Sequence, residues 1–306
     1  MKRGAFFMKT IKPNFIIIGA MKAATTSLYS YLQQHHEIFM SPIKEPMFFN
    51  NLGEEKTYKV KGSKGKHIRS FEEYYSLFNA AKKEKAIGEA SPAYIYDKKC
   101  PQLIKNNIPE IKIIAILRQP VERAYSNYLH TIRSGKEPIK DFLKAFQEEE
   151  KRIAENWSPL YHYKSKGYYF EQLERYYNIF PANNIHIILF EDLINYPHKT
   201  VKEIFKFLAV DESFIPKKEE KKNISGIPKG IIGWFIMKAR YYNIINSFAI
   251  SKYIPKFLIK IIQSVIYKKS KKLNTKTIHD LTDLYYKKDI KKLEKLIQKD
   301  LRSWLR

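Results

Sequence analysis

The segment FIIIGAMKAATTSLYSYLQQH, close to the start of the chain, restricts the possible folds more than any other. An apolar, β-branched run ends at Gly19, a short loop follows, and a helix is predicted from about Thr26. A strand that leads through such a loop into a helix presents backbone N–H groups that bind phosphate. The loop departs from the phosphate-loop signature G-x-x-x-x-G-K-[ST], because Ala24 replaces the second glycine and Thr25 replaces the lysine. Its one lysine, Lys22, lies in the middle of the loop.

Strand-like runs recur along the chain with helical patterns between them, which indicates a parallel sheet with crossover helices. The predicted strands are residues 14–19, 85–91, 111–118 and 184–193. The predicted helices are residues 26–34, 121–133, 140–154, 168–179 and 197–208. The sequence therefore predicts an α/β fold with a P-loop-like central parallel sheet that is flanked by helices.

The last third of the chain has a different pattern. Residues 216–230 are charged and interrupted by Gly and Pro, which predicts a loop. Residues 231–270 alternate apolar and basic helical segments, and residues 279–306 are predicted to form one or two amphipathic helices. We therefore predict a single domain over 12–306, with 217–275 as a basic helical insertion or lid before the C-terminal helix.

The net charge of the chain is +25, and it is concentrated in this last part. Residues 217–306 contain 23 Lys and Arg against 7 Asp and Glu, a net +16. Such an excess suits polyanions, anionic nucleotides or an anionic membrane surface, although it says little about the fold.

A single cysteine, Cys100, excludes intramolecular disulfides and cysteine-based metal clusters, which is consistent with a reducing compartment. The apolar stretch near the first residue is too short for a signal peptide. No run reaches the length of about 18 apolar residues that a spanning helix needs. We therefore expect a cytoplasmic protein.

The segment LRQPVERAYSNYLH, residues 117–130, follows a predicted buried strand. Arg118 stands at the carboxyl end of that strand, where α/β proteins bind ligands, and Ser126 follows eight residues later on the next helix. An arginine fork and a hydroxyl in this arrangement can bind a second phosphate. The alternative is a capped surface helix with a solvated arginine. Two roles are open for Arg123, on the same helix: a structural ion-pair partner or a residue that binds the ligand.

Glu45 lies in the segment MSPIKEPMFFN, between Lys44 and Pro46 and just before Phe48 and Phe49. A carboxylate beside apolar rings and near a phosphate loop can have its pKa raised, which would suit a general base. The alternative is a solvated loop glutamate.

Together these three elements resemble the sulfotransferases that use 3′-phosphoadenosine-5′-phosphosulfate (PAPS). The most similar subgroup is typified by heparan sulfate N-sulfotransferases and bacterial carbohydrate sulfotransferases. In that family a loop G-x-x-K-x-G-T-T binds the 5′-phosphosulfate, and here it reads GAMKAATTSL. The resemblance implies that the donor-binding residues of this loop are Lys22, Ala23, Ala24, Thr25, Thr26 and Ser27. It also implies that Arg118 and Ser126 bind the 3′-phosphate of the donor, and we include Lys229 as a further donor-binding candidate.

The same resemblance implies a catalytic arrangement. Glu45 in KEPMFF matches the loop that carries the base, and His130 matches a histidine near the acceptor. The expected reaction is an in-line displacement without a metal, in which Glu45 takes a proton from an acceptor hydroxyl or amine. Lys22 and the loop N–H groups neutralise the leaving 5′-phosphate. Ala90 replaces a lysine of heparan N-sulfotransferases, so the expected acceptor is another carbohydrate or a lipid-linked molecule.

Two other functions compete with this interpretation. The first is a nucleotide kinase with a degenerate loop. Against it, the sequence lacks a lysine at the expected place in the loop and a metal-binding acid after the strand. A non-catalytic protein that binds nucleic acid or another polyanion would account for the charge. However, the sequence has no helix-turn-helix, RNA-binding aromatic motif or zinc-ligand spacing, so we expect no nucleic-acid partner.

Residues 227–275 contain an amphipathic stripe in the segment IPKFLIKIIQSVIYKK. Three roles remain open for it: a lid on the catalytic domain, an interfacial membrane helix that serves a lipid-linked acceptor, or an oligomer contact. The second would give peripheral contact with the inner membrane face through residues 231–270.

Overall fold

The computed structural model of the protein describes residues 10–53, 57–60, 68–217, 226–230, 233, 235 and 267–306. These residues divide into two units, each of which is assembled from separate segments of the chain. The described segments of the first unit are 10–53, 68–118 and 171–217. Those of the second unit are 57–60, 119–170, the described residues between 226 and 235, and 267–306.

A five-stranded parallel sheet forms the first unit's core. Its strands are β1 (Phe15–Gly19), β2 (Ile38–Met40), β3 (Ala86–Ala90), β4 (Lys112–Leu117) and β5 (Ile185–Leu189). They lie in the order β2-β3-β1-β4-β5, and every neighbouring pair is parallel. Every residue of β1 is buried, as expected for a central strand that is covered on both faces. The predicted α/β fold with a central parallel sheet flanked by helices is therefore confirmed.

Helices occur in both units. They are α1 (Thr25–Leu32), α2 (Phe48–Asn51), α3 (Phe71–Ser76), α4 (Cys100–Asn107), α5 (Pro120–Arg133), α6 (Phe142–Gln147), α7 (Glu149–Ala154), α8 (Tyr169–Tyr177), α9 (Phe190–Asn195), α10 (Pro197–Leu208), α11 (Thr275–Leu281) and α12 (Lys287–Ile297). Those predicted from the sequence are present with differences at their ends, and α2, α3, α4 and α9 were not predicted. The helix predicted over 140–154 is two short helices, because ψ at Glu148 is −5°, far from the helical value of about −42°. The strand predicted over 184–193 ends at Leu189, where α9 begins.

Two antiparallel strands in the second unit correct the predictions for the basic segment. β6 (Gly226–Pro228) pairs with β7 (Tyr267–Lys269), although we predicted a loop at the first and helical structure at the second. The remaining part of the predicted insertion, including most of 231–270, lies outside the described residues. None of the helices in the described part of the chain is both long and apolar enough to span a bilayer.

The second unit is held together by buried polar contacts around α5. Arg152 donates two hydrogen bonds to the carboxylate of Glu137, at 2.8 and 2.9 Å, and both side chains are almost fully buried. Tyr163 donates its hydroxyl to the same carboxylate. The C-terminal residues follow α12 with a short 3-10 turn, Arg302–Leu305, in which Trp304 is buried.

Candidate active site

The loop between β1 and α1 starts from a tightly packed strand end. A Cβ atom at Gly19 would lie 2.4 Å from the Cγ2 atom of Ile95, so only glycine fits there. The next residue, Ala20, donates its N–H to the carbonyl of Ile116 in β4 at 2.7 Å. Because the connections that leave β1 and β4 run in opposite directions across the sheet, this edge is the switch point at which α/β folds bind ligands.

Two non-glycine residues of this loop adopt the left-handed conformation. The φ angles of Lys22 and Ala24 are 72° and 69°. This conformation costs a residue with a Cβ atom about 1–2 kcal/mol, and such strain is concentrated at functional sites. At Ala24 it explains why the phosphate-loop signature has glycine at the matching place. Lys22 and Ala24, with Glu45 and Met47, account for four of the seven non-glycine residues with positive φ in the described ranges.

The N-terminus of α1 faces this loop without a side-chain cap. Its N-cap residue, Ala24, has no side-chain oxygen, and the first turn contains no acidic residue. The N–H groups of a first turn have no partner within the helix, and they form the positive end of the helix dipole. The first turn also carries the hydroxyl groups of Thr25, Thr26 and Ser27. This arrangement fits a phosphate group.

Glu45 lies in a strained, exposed loop at the same edge of the sheet. Its φ angle is 59°, and its N–H donates to the carbonyl of Ala90, the last residue of β3, at 3.1 Å. The carboxylate forms an ion pair with Lys44, and 42% of the Glu45 side chain is exposed. The Glu45 carboxylate is therefore accessible from solvent.

The prediction that the Glu45 carboxylate lies beside apolar rings is wrong. Phe48 and Phe49 point into the core, where both rings are almost fully buried. The ring of Phe48 stacks on Tyr74 with a centroid distance of 4.4 Å, and that of Phe49 packs on Tyr94 at 5.6 Å. The left-handed turn at Met47 separates the exposed carboxylate from these rings, so neighbours in sequence have opposite environments.

A second carboxylate, Glu89 in β3, was missed by the sequence analysis. Its side chain is fully buried, and burial raises its pKa to about 7. The hydroxyl of Ser91 donates to its Oε2 atom at 2.8 Å, and that of Tyr74 donates to its Oε1 atom at 3.4 Å. The signal was present: Glu89 is a charged residue near the carboxyl end of a predicted strand, as is Arg118.

Arg118 follows β4, and an aromatic ring holds its guanidinium group. The guanidinium carbon lies 4.4 Å from the ring centroid of Phe190, the first residue of α9. This is a cation–π contact, which orients the arginine fork at the edge of the sheet. Phe190 was also missed, because the sequence analysis placed it inside the predicted strand 184–193, whereas it begins α9.

The helix α5 carries two of the predicted site residues, Ser126 and His130. Ser126 is half-buried and His130 is exposed. Arg123 is fully buried and donates a hydrogen bond to the carbonyl of Tyr163, and its side chain forms no ion pair with another residue in the described part of the chain. Lys229, which follows β6, is exposed.

The predicted site residues are thus distributed over both units. Residues 22–27, Glu45 and Arg118 belong to the first unit, and Ser126, His130 and Lys229 to the second. Within the described ranges, no group of three or more His, Cys, Asp or Glu is arranged to hold a metal ion.

Known proteins resemble this chain over most of its length. The family model described as "Sulfotransferase domain" matches residues 12–225. The membrane-associated sulfotransferase kil1 of Dictyostelium discoideum is 28% identical and is matched over 65% of this chain and 56% of its own length. The bifunctional heparan sulfate N-deacetylase/N-sulfotransferase 4 of Mus musculus is 29% identical over 65% of this chain and 22% of its own length. The chain therefore spans about half the length, or less, of these curated relatives.

A solved structure is similar over nearly the whole chain. The crystal structure of a sulfotransferase from Alicyclobacillus acidocaldarius has a TM-score of 0.74 and 29% sequence identity. The similarity covers 97% of this chain and 100% of that one. The fold of this chain is therefore that of a known bacterial protein.

Proposed function

Because the chain belongs to the sulfotransferase family, we propose that it transfers a sulfuryl group from PAPS to a hydroxyl or amine of a carbohydrate or lipid-linked acceptor. The observation that carries this proposal is the uncapped N-terminus of α1 behind the left-handed residues Lys22 and Ala24. It offers backbone N–H groups and hydroxyls to one 5′-phosphate, and PAPS has no γ-phosphate that would need the lysine of an NTPase loop.

In the proposed reaction, the donor is held at both of its phosphate groups. Lys22 and the N–H groups of residues 23–27 bind the 5′-phosphosulfate and neutralise the charge that develops on the leaving phosphate. Arg118, oriented by Phe190, binds the 3′-phosphate together with Ser126, and Lys229 is a further donor contact. No metal takes part in the proposed binding.

The acceptor meets the exposed carboxylate of Glu45. This carboxylate removes the proton from the acceptor oxygen or nitrogen as that atom attacks sulfur, and the S–O bond to the 5′-phosphate breaks on the opposite side. His130 is the acceptor-side residue of this proposal and the competing candidate for the base.

A carbohydrate acceptor is supported by the names of relatives, which include heparan sulfate and carbohydrate sulfotransferases. The experiment is transfer of labelled sulfate from PAPS to a panel of glycans, glycolipids and small phenols. We expect labelling of a glycan or glycolipid without added metal, and loss of labelling in Lys22→Ala. Absence of transfer to every acceptor class, with the folded protein and intact PAPS present, would refute the proposal.

A binding experiment separates the donor from other nucleotides. We expect 3′-phosphoadenosine-5′-phosphate to bind about tenfold to a hundredfold more tightly than AMP in calorimetry, because a charge-assisted contact contributes about 1.5–3 kcal/mol. Arg118→Ala should erase most of this difference. Arg302→Ala is the control, since that exposed arginine pairs only with the nearby Asp300 among the described contacts. Equal affinity of the wild type for both nucleotides would exclude the 3′-phosphate site.

We further propose that residues 12–306 act as one sulfotransferase domain in the cytoplasm, with 217–275 as a lid or an interfacial element. A relative named as membrane-associated supports a test of the interfacial role. An interfacial segment should make the protein sediment with anionic vesicles at low salt and dissociate at high salt, because salt screens lysine attraction. If the protein does not sediment with the vesicles at low salt, the lid is the role that remains for residues 217–275.

A further inference from the structure

Three hydrogen bonds that backbone N–H groups donate attach residues 45–49, here called the base loop, to the end of β3 and the segment that follows it. Glu45 donates its N–H to the carbonyl of Ala90 at 3.1 Å. The N–H of Met47 donates to the Oγ atom of Ser91 at 3.0 Å, and the N–H of Phe49 donates to the hydroxyl of Tyr94 at 3.3 Å. Two of the three acceptors are therefore hydroxyl groups, which can also act as donors.

Glu89 lies behind both hydroxyl groups. Its carboxylate accepts a hydrogen bond from Ser91 at 2.8 Å and is also hydrogen-bonded to the side chain of Tyr94. The side chain of Glu89 is fully buried, so it does not reach an acceptor molecule in solvent. Its contacts with the base loop are therefore made through the two hydroxyls.

The direction of these hydrogen bonds depends on the carboxylate. A hydroxyl group has one proton, and Glu89 accepts the protons of the Ser91 and Tyr94 hydroxyls. The hydroxyl oxygens are then left to accept from the N–H groups of Met47 and Phe49. Without the carboxylate, each hydroxyl is free to rotate its proton toward the loop, where it would oppose the N–H group.

We propose that Glu89 is the positioning residue for the base loop: by fixing the hydroxyl directions of Ser91 and Tyr94, it holds the loop that presents Glu45. The inference rests on the proposed function, in which Glu45 is the base. The loop needs such support, because Glu45 and Met47 both have left-handed φ angles, 59° and 53°, that side chains other than glycine rarely adopt. Loosening these bonds moves the Glu45 carboxylate away from the acceptor without touching the donor loop.

Amide hydrogen exchange tests the hydrogen-bond arrangement independently of activity. In Glu89→Gln, the amide can donate as well as accept, so we expect exchange at the N–H groups of Met47 and Phe49 to become at least about tenfold faster. Glu149→Gln is the matched control, because Glu149 is another buried carboxylate that accepts hydrogen bonds, in the second unit. Unchanged exchange at both N–H groups in Glu89→Gln would overturn the inference.

If Glu89→Gln does not fold, Ser91→Ala and Tyr94→Phe remove one hydroxyl each. Each variant should accelerate exchange at its own partner, Met47 for the first and Phe49 for the second. Acceleration of neither N–H group would overturn the inference.

Kinetics with the best acceptor from the panel test the positioning role. We expect Glu89→Gln to lower kcat on the order of a hundredfold, as for a small misplacement of a catalytic group, and to leave the KM for PAPS unchanged. In a Glu45→Gln background, the same change should have little further effect. Equal losses in both backgrounds would indicate a purely structural role and overturn the inference. If the wild type transfers no sulfate at all, the proposed function fails, while the exchange experiment still decides the role of Glu89.

Discussion

Replacing Glu89 with Gln should remove a specific part of the pH dependence of stability. Burial raises the pKa of Glu89 to about 7, and the nearby charge of Glu45 adds to this, while hydrogen bonds from Ser91, Tyr94 and Tyr74 act in the opposite direction. In the unfolded chain the same carboxyl has its ordinary pKa of 4.5. Between these values the folded state retains a proton that the unfolded state has released.

The unfolded state therefore binds fewer protons in this window, and the free energy of unfolding falls as the pH rises. The contribution of Glu89 is fully present below about pH 4.5, and it is lost as the pH rises through about 7. At about 1.36 kcal/mol for each tenfold difference in proton affinity, it amounts to about 2.5 kcal/mol between pH 5 and pH 8.

The measurement is urea unfolding followed by circular dichroism at both pH values. From pH 5 to pH 8, we expect the free energy of unfolding of the wild type to fall by about 2.5 kcal/mol more than that of Glu89→Gln. Glu110→Gln, at an exposed position, should follow the wild type. Glu45→Gln should reduce the effect, since it removes a charge that raises the pKa of Glu89. Equal pH dependence in the wild type and Glu89→Gln would refute this reasoning.

Three further predictions follow from the site and the core. Glu45→Gln should keep donor affinity and lower turnover about a hundred- to ten-thousandfold, because an amide cannot accept the proton. If Glu45→Gln has near-normal turnover and His130→Ala is inactive, His130 is the base. Ala24→Gly should raise the free energy of unfolding by about 0.5–1 kcal/mol by removing a left-handed alanine, and a decrease in urea unfolding would contradict this. Arg152→Ala should lower the free energy of unfolding by about 3–5 kcal/mol, because it leaves Glu137 buried without its ion-pair partner. A decrease of less than about 1 kcal/mol would show that the pair is dispensable.

The sheet and the loop between β1 and α1 could be predicted from sequence because their signals are local. The runs FIIIG and KIIAIL are apolar without interruption, as strands that are buried on both faces must be. The strand β2 was missed, since three residues are too few to show a period. The sequence also could not show β7, which depends on pairing with β6, 39 residues or more away in the chain.

The surroundings of each site residue were harder to predict than its presence. Glu45 was expected beside the rings of Phe48 and Phe49, but backbone angles at Met47 decide which way each side chain points. Glu89 and Phe190 were missed because they contact residues that are distant in the chain, Tyr74 and Arg118 respectively. Patterns along the chain identify strand ends, whereas contacts between elements determine burial and pKa.

The attachment of the base loop to β3 has a consequence for how this enzyme family can diversify. The phosphate loop begins at Gly19 on β1, and β1 and β3 are hydrogen-bonded neighbours, so the proposed base and the proposed leaving-group site share one rigid frame. Ala90 lies opposite Ile17, two residues before Gly19, on a neighbouring strand about 4.8 Å away across the sheet. Gly88 maintains this spacing, because a Cβ atom there would lie 2.6 Å from the backbone oxygen of Phe15. The sheet therefore keeps the separation between the proposed base and the proposed leaving-group site constant when the loops around them are exchanged, by evolution or by grafting.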